Sequence, residues 1–454
     1  MSGINQVIYN KSPHYIKNIF VTIYNLKWFT IHNKRYRFLI KKYREMFFEK
    51  NLNELKKIQE NKFLKFIDFS KKNNQYYQNK LHNIAITSLE DITKIPILNK
   101  DDLLKDDLKS EINDTCFVGY TGGTTGKSLK YFLTKNDYIE RQSCLDFFRS
   151  LHGYSFGNKI AWFSGKEIIT DKELKKNIFW VKDYINKIIY YSTFHMRDEY
   201  IDKMIDNLNK EKPEYFSGFP SAIYELTNYW EKSGKPIEFQ LNAIFTTSEP
   251  FFQYQKEKIQ TFFNCIAPDQ YASSEGAPFI YECPFGQLHY DMYSGIFEKI
   301  SGTNEVLVTS FTTHKMPLIR YKIGDSIEFD DSKKSCSCGS KMPLIKKIIG
   351  RSMSFVYSRE RGKVGVTNIA NSIKYIKGIE KLQLVQNEID TIIIKLVLEN
   401  TKIKKDVKKQ LEYELRYRLG DNIDLIYNIV KNIPCEKNGK YMMIKNNLKE
   451  KDLI

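Results

Sequence analysis

Two groups of residues in this 454-residue chain have types and spacings that could do chemistry. The stretch Val118 to Lys130, VGYTGGTTGKSLK, is rich in glycine and threonine. Its backbone can take left-handed turns and present amides and hydroxyls to an anion, phosphate above all. It is not a Walker A loop, which needs four residues between its first glycine and its Gly-Lys, whereas Gly122 and Gly126 enclose three. A hairpin tip with no ligand is the competing reading. The second group is Cys283, His289, Cys336 and Cys338. Three thiols and one imidazole suit a tetrahedral zinc, and four protein ligands leave no open position, so such a zinc is a structural staple. The spacings depart from common finger patterns, and reduced structural cysteines near a histidine are the alternative.

Other polar runs are individually weak. Tyr271 with Glu275 four residues on says little alone. Thr247-Ser248-Glu249-Pro250 reads as a helix cap with proline in the first turn. Asp325 closes the run Met316 to Asp325, MPLIRYKIGD, and a carboxylate can accept two hydrogen bonds at once. Asn438-Gly439-Lys440 is by itself a turn. His195 reads as a packed or solvent-facing histidine.

The elements that must position these residues follow from periodicity. Leu52, Leu55, Ile58, Phe63 and Phe66 recur at near-helical spacing, and residues 1–80 read as a peripheral helical cap. Ile160 to Phe163 reads as a buried strand. EYFSGFPSAIY (214–224) reads as strand, turn and helix, and LNAIFTTS (241–248) as a strand followed by a helix over Gln253 to Phe263. This alternation argues for α/β architecture with parallel sheet. From about Gly350 the character changes. Thr391 to Leu398 is β-rich, Ile403, Val407, Leu411, Leu415 and Leu419 form a helical stripe ended by Gly420, and Ile423, Leu425 and Tyr427 alternate. We therefore expect a large domain over 1–350 and a small α+β domain over 351–454, hinged near Arg351-Ser352.

Bulk properties narrow the classes. A 42% hydrophobic content with 30 Phe and 30 Tyr argues against disorder. The 71 Lys and Arg against 54 Asp and Glu give +17, which would suit nucleic acid, an anionic membrane or acidic small molecules. No arginine-rich stripe or nucleic-acid motif accompanies it, so no nucleic-acid partner is expected. Seven cysteines, an odd number, with no signal-peptide pattern point to the reducing cytosol. The run Ile19 to Ile31 is interrupted by Asn25 and Lys27 and falls short of the roughly 20 apolar residues that span a bilayer. It reads as a buried helix, with at most peripheral membrane contact.

Taken in order, the motifs resemble those of the adenylate-forming enzymes, and most closely the phenylacetate-CoA ligase-like branch that includes CapK-type proteins of capsule biosynthesis. YTGGTTGKS resembles that family's phosphate loop, with Gly123 and Ser128 as substitutions. Pro96 to Asp101 resembles the segment preceding it, Tyr271 to Glu275 the aromatic-to-glutamate motif with Ala272 for the usual glycine, and PLIRYKIGD (317–325) the arginine-to-aspartate motif. Phe216 to Ser221 and Tyr281 to Cys283 resemble the branch more narrowly.

The resemblance implies a large adenylate-forming domain of mixed sheets and helices with a small mobile α+β C-terminal domain. It implies ATP held by Thr121, Gly122, Thr124, Thr125, Gly126 and Lys127, adenine faced by Ser248, Glu249 and Pro250 and by the Tyr271 ring, and ribose hydroxyls on Asp325. Arg320 would meet phosphate or hold Asp325, Glu275 would ligate Mg2+, Arg351 would mark the hinge, and Lys440 would be the adenylation lysine. The expected reaction joins a small-molecule carboxylate, through an acyl-adenylate, to the thiol of CoA, an amine or a sugar acceptor. Joining an amine to a uronic acid of a glycan is a second reading. A non-catalytic basic binding protein is a third.

Overall fold

The computed structural model describes residues 8–104, 108–112, 116–120, 130–165, 168–193, 196, 198–249, 251–332, 335–350, 355–366, 369, 376, 378–398, 403–433 and 443–448. By its internal contacts the chain divides into two compact units, Met1–Gly119 with Tyr131–Gly350, and Tyr120–Lys130 with Arg351–Ile454. The architecture is mixed α/β.

The first unit opens with helices α1 (His14–Phe29), α2 (Lys34–Phe48), α3 (Leu52–Asn73) and α4 (Gln75–Lys80). Asparagines start three of them: the Asn33, Asn51 and Asn74 side chains each accept a backbone N–H of the first turn, and Glu54 completes a capping box with Asn51. Of the stripe expected from its periodicity α3 buries Leu55, Phe63 and Phe66, while Leu52 in the first turn is exposed and Ile58 half-buried.

α1 differs from the expectation of a buried apolar helix. Its polar face is the one turned inward: the Lys17 ammonium meets Glu173 at 2.5 Å, Asn18 Oδ1 accepts from the Lys182 amide at 2.9 Å, and Asn25 donates to Asp183 at 2.7 Å. Those partners can be satisfied only from that face, so Ile19 and Ile23 are left exposed, while Ile31 beyond the helix is buried.

Strands β1 (Cys116–Tyr120) and β2 (Lys130–Thr134) pair as a two-stranded ribbon. A capping box of Thr134 and Asp137 then starts α5 (Lys135–Leu151). Next come β3 (Ile160–Ser164), β4 (Trp180–Asp183), β5 (Ile188–Ser192), α6 (Asp198–Glu211), β6 (Tyr215–Gly218), α7 (Pro220–Ser233), β7 (Ala243–Thr246) and α8 (Gln253–Phe263). The strands form one sheet in the order β4-β5-β3-β6-β7, parallel apart from β4. β6 and β7 are buried at every position, which is why YFSG and AIFT read as continuous apolar runs instead of alternating ones.

The rest of the first unit is one antiparallel sheet of β8 (Gln270–Tyr271), β9 (Ile280–Glu282), β10 (Leu288–Tyr290), β11 (Gly295–Lys299), β12 (Glu305–Ser310), β13 (Tyr321–Phe329) and β14 (Leu344–Gly350). Its order is β11-β12-β13-β14-β10-β9-β8.

The second unit holds β15 (Phe355–Ser358) paired with β16 (Gly362–Gly365), and a sheet of β17 (Ile379–Glu388), β18 (Thr391–Leu398), β19 (Asp424–Ile429) and β20 (Ile444–Asn446) in the order β19-β18-β17-β20. Helix α9 (Lys405–Leu419) crosses between the parallel strands β18 and β19 and buries Leu411, Leu415 and Leu419. Gly420 ends it at φ +93°, where a Cβ would meet the Glu360 carboxylate at 2.5 Å.

Candidate functional site

In the parallel sheet the chain leaves β3 for β5 on one side and later returns to β6 on the other. Such a switch point opens a crevice beyond the carboxyl ends of the strands, where ligands of open α/β sheets sit. The turns there are tightly built. Gly218 at φ +148° has no room for a side chain, since a Cβ would come within 2.1 Å of the Phe163 carbonyl. The Thr247 amide donates to the Gly218 carbonyl at 2.9 Å, and Gln270 Nε2 donates to the Thr246 carbonyl at 2.7 Å. These bonds bring the Phe216–Ser221 run, the Thr247–Glu249 turn and the start of β8 together.

Ser248 is exposed in this turn with φ +70°, a left-handed conformation uncommon outside glycine. Glu249 Oε2 accepts the Ser221 amide at 3.2 Å, near the N-terminus of α7, where the helix dipole favours an anion. Oε1 is buried without a partner among the described residues, and burial raises the pKa of this carboxyl above its ordinary value.

Asp325 is positioned by strand period. In β13, Tyr321, Ile323, Asp325 and Ile327 share the buried face. A buried carboxylate needs a donor, and the Tyr271 hydroxyl supplies one at 2.7 Å. β8 and β13 lie four places apart in the sheet order, about 19 Å if the sheet were flat. One hydrogen bond joining their side chains therefore requires the sheet to curl toward the face that carries them. Tyr271 and Asp325, assigned by resemblance to the two halves of adenosine, are thus brought into direct contact.

Glu275 is half-buried in the loop after β8. Ser273 Oγ accepts the Gly276 and Ala277 amides, and Arg141 of α5 holds the loop from beneath. Its guanidinium donates to the Ser273 carbonyl at 3.0 Å, the Ala277 carbonyl at 3.1 Å and Thr312 Oγ1 at 3.2 Å. Burial lowers the Arg141 pKa, and its carbon lies 4.8 Å from the Phe279 ring centroid. Nothing in the local pattern around Arg141 marks it out, because its partners lie more than 130 positions away.

Arg320 makes contacts within the framework. Nε donates to the Glu298 carboxylate at 3.0 Å, and an Nη donates to the Thr93 and Ile95 carbonyls at 3.1 and 2.6 Å. With φ +51° it clamps the 93–98 segment to β13, where Leu98 bridges Tyr321. These groups hold the guanidinium against Glu298 and the 93–95 segment.

Thr121, Gly122, Thr124, Thr125, Gly126, Lys127, His195, Pro250, Arg351 and Lys440 lie outside the described residues.

The sulfur-nitrogen quartet does assemble. Cys283 follows β9, His289 lies in β10, and Cys336 and Cys338 precede β14, with all four ligand atoms within 4.8 Å of one another. Cys283 Sγ is 3.6 Å from Cys336 Sγ, and Cys338 Sγ is 3.4 Å from His289 Nε2. A tetrahedral zinc with its usual bond lengths needs sulfur-sulfur edges of about 3.8 Å and sulfur-nitrogen edges of about 3.5 Å. His289 Nδ1 lies 3.2 Å from the Met342 carbonyl. A carbonyl only accepts, so Nδ1 carries the proton and the Nε2 lone pair faces the thiols, the orientation of a metal-bound imidazole. Burial pushes the Cys338 thiol up to about 12 and the His289 imidazole down to about 4. Cys144, Cys265 and these three cysteines are free thiols.

Comparison with known proteins adds three findings. A family model described as the CapK C-terminal domain matches residues 356–447. Protein CapK of Staphylococcus aureus is 34% identical over 454 residues, covering 97% of this chain and 99% of that protein. Among solved structures, 2-hydroxyisobutyryl-CoA ligase in the postadenylation state with R3-HIB-AMP is similar at TM-score 0.57 and 14% identity, covering 89% of this chain and 91% of that one. The same enzyme with 2-HIB-AMP and CoA in its thioesterification state gives TM-score 0.57 and 14% identity over 89% and 92%. At that identity the similarity is one of fold, that of the adenylate-forming CoA ligases.

Proposed function

We propose, from the premise that this chain belongs to the CapK family, that it is an AMP-forming ligase that activates a carboxylate with ATP. The observation that carries the proposal is the buried Tyr271–Asp325 contact, in the neighbourhood of a Glu275 loop pinned by Arg141. Tyr271 presents its ring to the adenine and fixes the Asp325 carboxylate through its hydroxyl, and Asp325 is the acceptor for the ribose hydroxyls. Ser248 and Glu249 form the turn that faces the base.

A carboxylate oxygen of the substrate attacks the α-phosphorus of ATP. The bond to the bridging oxygen breaks, and its electron pair leaves with pyrophosphate. Glu275 would be the oxygen ligand for Mg2+, which would supply neutralisation of phosphate charge. Thr121 to Lys127 hold the phosphates, and the Lys440 ammonium compensates charge developing on the transferring group. In the second step a nucleophile attacks the acyl carbon and the C–O bond to AMP breaks. Reorientation of the 351–454 domain about Arg351 separates the two steps. The acceptor is a thiol such as that of CoA, which the CoA-bound structures of the similar fold support. An amine acceptor, giving an amide on a uronic acid of a surface glycan, is the second reading, favoured by the family.

We also infer a structural zinc at Cys283, His289, Cys336 and Cys338, supported by edge lengths and by the imidazole tautomer. It would tie the β9–β10 hairpin to the segment before β14.

Isothermal titration with Mg-ATP, followed by a carboxylate panel scored for pyrophosphate release, tests the ligase reading. Lys440→Ala should abolish carboxylate-dependent release; undiminished release would remove that lysine from its role. A basic binding protein would ignore ATP and lose its ligand steeply with salt.

A further inference from the structure

Helix α1 is amphipathic in the unusual sense, with its polar face buried and its apolar face outward. Tyr15, Ile19, Ile23 and Leu26 are 64, 48, 58 and 41% exposed. At 100° per residue these four fall within an arc of about 80°, one continuous stripe. The opposite face is spent on Lys17, Asn18, Thr22 and Asn25, which are held by Glu173, Lys182, Tyr184 and Asp183 of the neighbouring strands and turns. The helix is therefore anchored in the one orientation that presents its large apolar side chains to the outside. Exposed apolar residues scattered singly need no explanation, but an ordered stripe on a pinned helix does.

The charge that the sequence sets next to the stripe says what covers it. The first 44 residues contain nine Lys and Arg and no Asp or Glu, although acids make up 54 residues of the chain, and of the nine Lys17 is buried against Glu173. On α2, the next helix, Arg37, Lys41 and Arg44 are exposed, and Phe38 between them is 62% exposed. A local excess of cations around exposed Ile, Leu, Tyr and Phe is the composition of an interfacial helix. No described helix is long and apolar enough to cross a membrane.

We propose that the α1 stripe and the basic flank of α2 dock this protein onto an anionic phospholipid surface. The apolar side chains enter the boundary between headgroups and acyl chains, and the flanking cations meet headgroup phosphates. The proposal stands apart from the catalytic reading, since no residue assigned to ATP or to the metal takes part.

The test is co-sedimentation of the full chain with vesicles of phosphatidylcholine alone or with phosphatidylglycerol added. Partition into the anionic vesicles should be strong at about 0.1 M salt and fall at about 0.5 M. Ile19→Ser/Ile23→Ser should weaken it about tenfold or more. Arg37→Gln/Lys41→Gln should weaken it about fivefold per charge, with the circular dichroism and melting curve of each variant unchanged. The proposal is overturned if the wild type does not bind anionic vesicles, or if the Ile19→Ser/Ile23→Ser variant binds as well as the wild type. It is equally overturned if light scattering shows a dimer that the isoleucine substitutions dissolve, because a second copy then covers the stripe.

Discussion

The Tyr271 hydroxyl bonds the Asp325 carboxylate at 2.7 Å, although their strands are four places apart in one sheet. Closing that gap curls the sheet and places an aromatic ring and an acceptor side by side on its buried face. An adenosine needs that pairing, a flat apolar surface for the base and a fixed carboxylate for the sugar.

Removing the hydroxyl alone tests this pairing. Tyr271→Phe keeps the ring but removes the hydroxyl that donates to Asp325, which for a bond to a carboxylate costs about 1.5–3 kcal/mol. ATP affinity by titration should fall about tenfold or more. Tyr271→Phe and Asp325→Asn should combine to less than the sum of their separate effects. Strict additivity would mean that the two residues do not act together.

Arg141 is predicted to position Glu275 through the loop between them. Arg141→Met removes three donated hydrogen bonds from a buried site. It should lower stability by about 2–4 kcal/mol in urea unfolding and raise the Mg2+ concentration needed for half-maximal pyrophosphate release. An unchanged Mg2+ requirement in the folded fraction would limit Arg141 to holding the fold.

The zinc centre predicts about one zinc per purified chain by elemental analysis and a marked loss in Cys283→Ser. The Cys338 and Cys283 thiols sit above their ordinary pKa, so each must release a proton to bind metal as a thiolate. Zinc affinity should therefore rise with pH, and a chelator should strip the protein faster at about pH 6 than at about pH 8, with a drop in melting temperature. A metal-free protein with an unaltered melt in Cys283→Ser would contradict the assignment.

Asp291 gives a pH dependence of known sign. Burial raises its carboxyl to about 6 from an ordinary 3.8, and it accepts from the Cys144 thiol at 3.2 Å. A folded-state pKa above the unfolded one means that the native state holds the proton more tightly. The contribution is thus full below about pH 4 and lost as pH rises through about 6. Asp291→Asn, which needs no proton, should gain on the wild type across that window by about 2–3 kcal/mol in urea unfolding. A stability difference that does not change with pH would show that Asp291 does not titrate there.

Much of this was legible wherever the signal is local. The helix Gln253–Phe263, the strand Thr391–Leu398 and the stop at Gly420 coincide with their sequence readings, because period and capping are properties of neighbouring residues. The curl that joins Tyr271 to Asp325 was not legible, nor were the supports given by Arg141 and Arg320, since each depends on partners brought close only by the fold. Ile19 and Ile23 teach a further point. Helical spacing identifies two faces but not which one points inward, and here buried polar partners such as Asp183 and Glu173 decided against the apolar face.

The central claim is adenylation, and carboxylate-dependent exchange of labelled pyrophosphate into ATP measures it most directly, over a panel of carboxylates with Asp325→Ala alongside. The account predicts exchange with at least one carboxylate, AMP as the nucleotide product when an acceptor is added, and loss of exchange in Asp325→Ala. Formation of ADP with phosphate, or tight ATP binding with no exchange for any carboxylate, would contradict it.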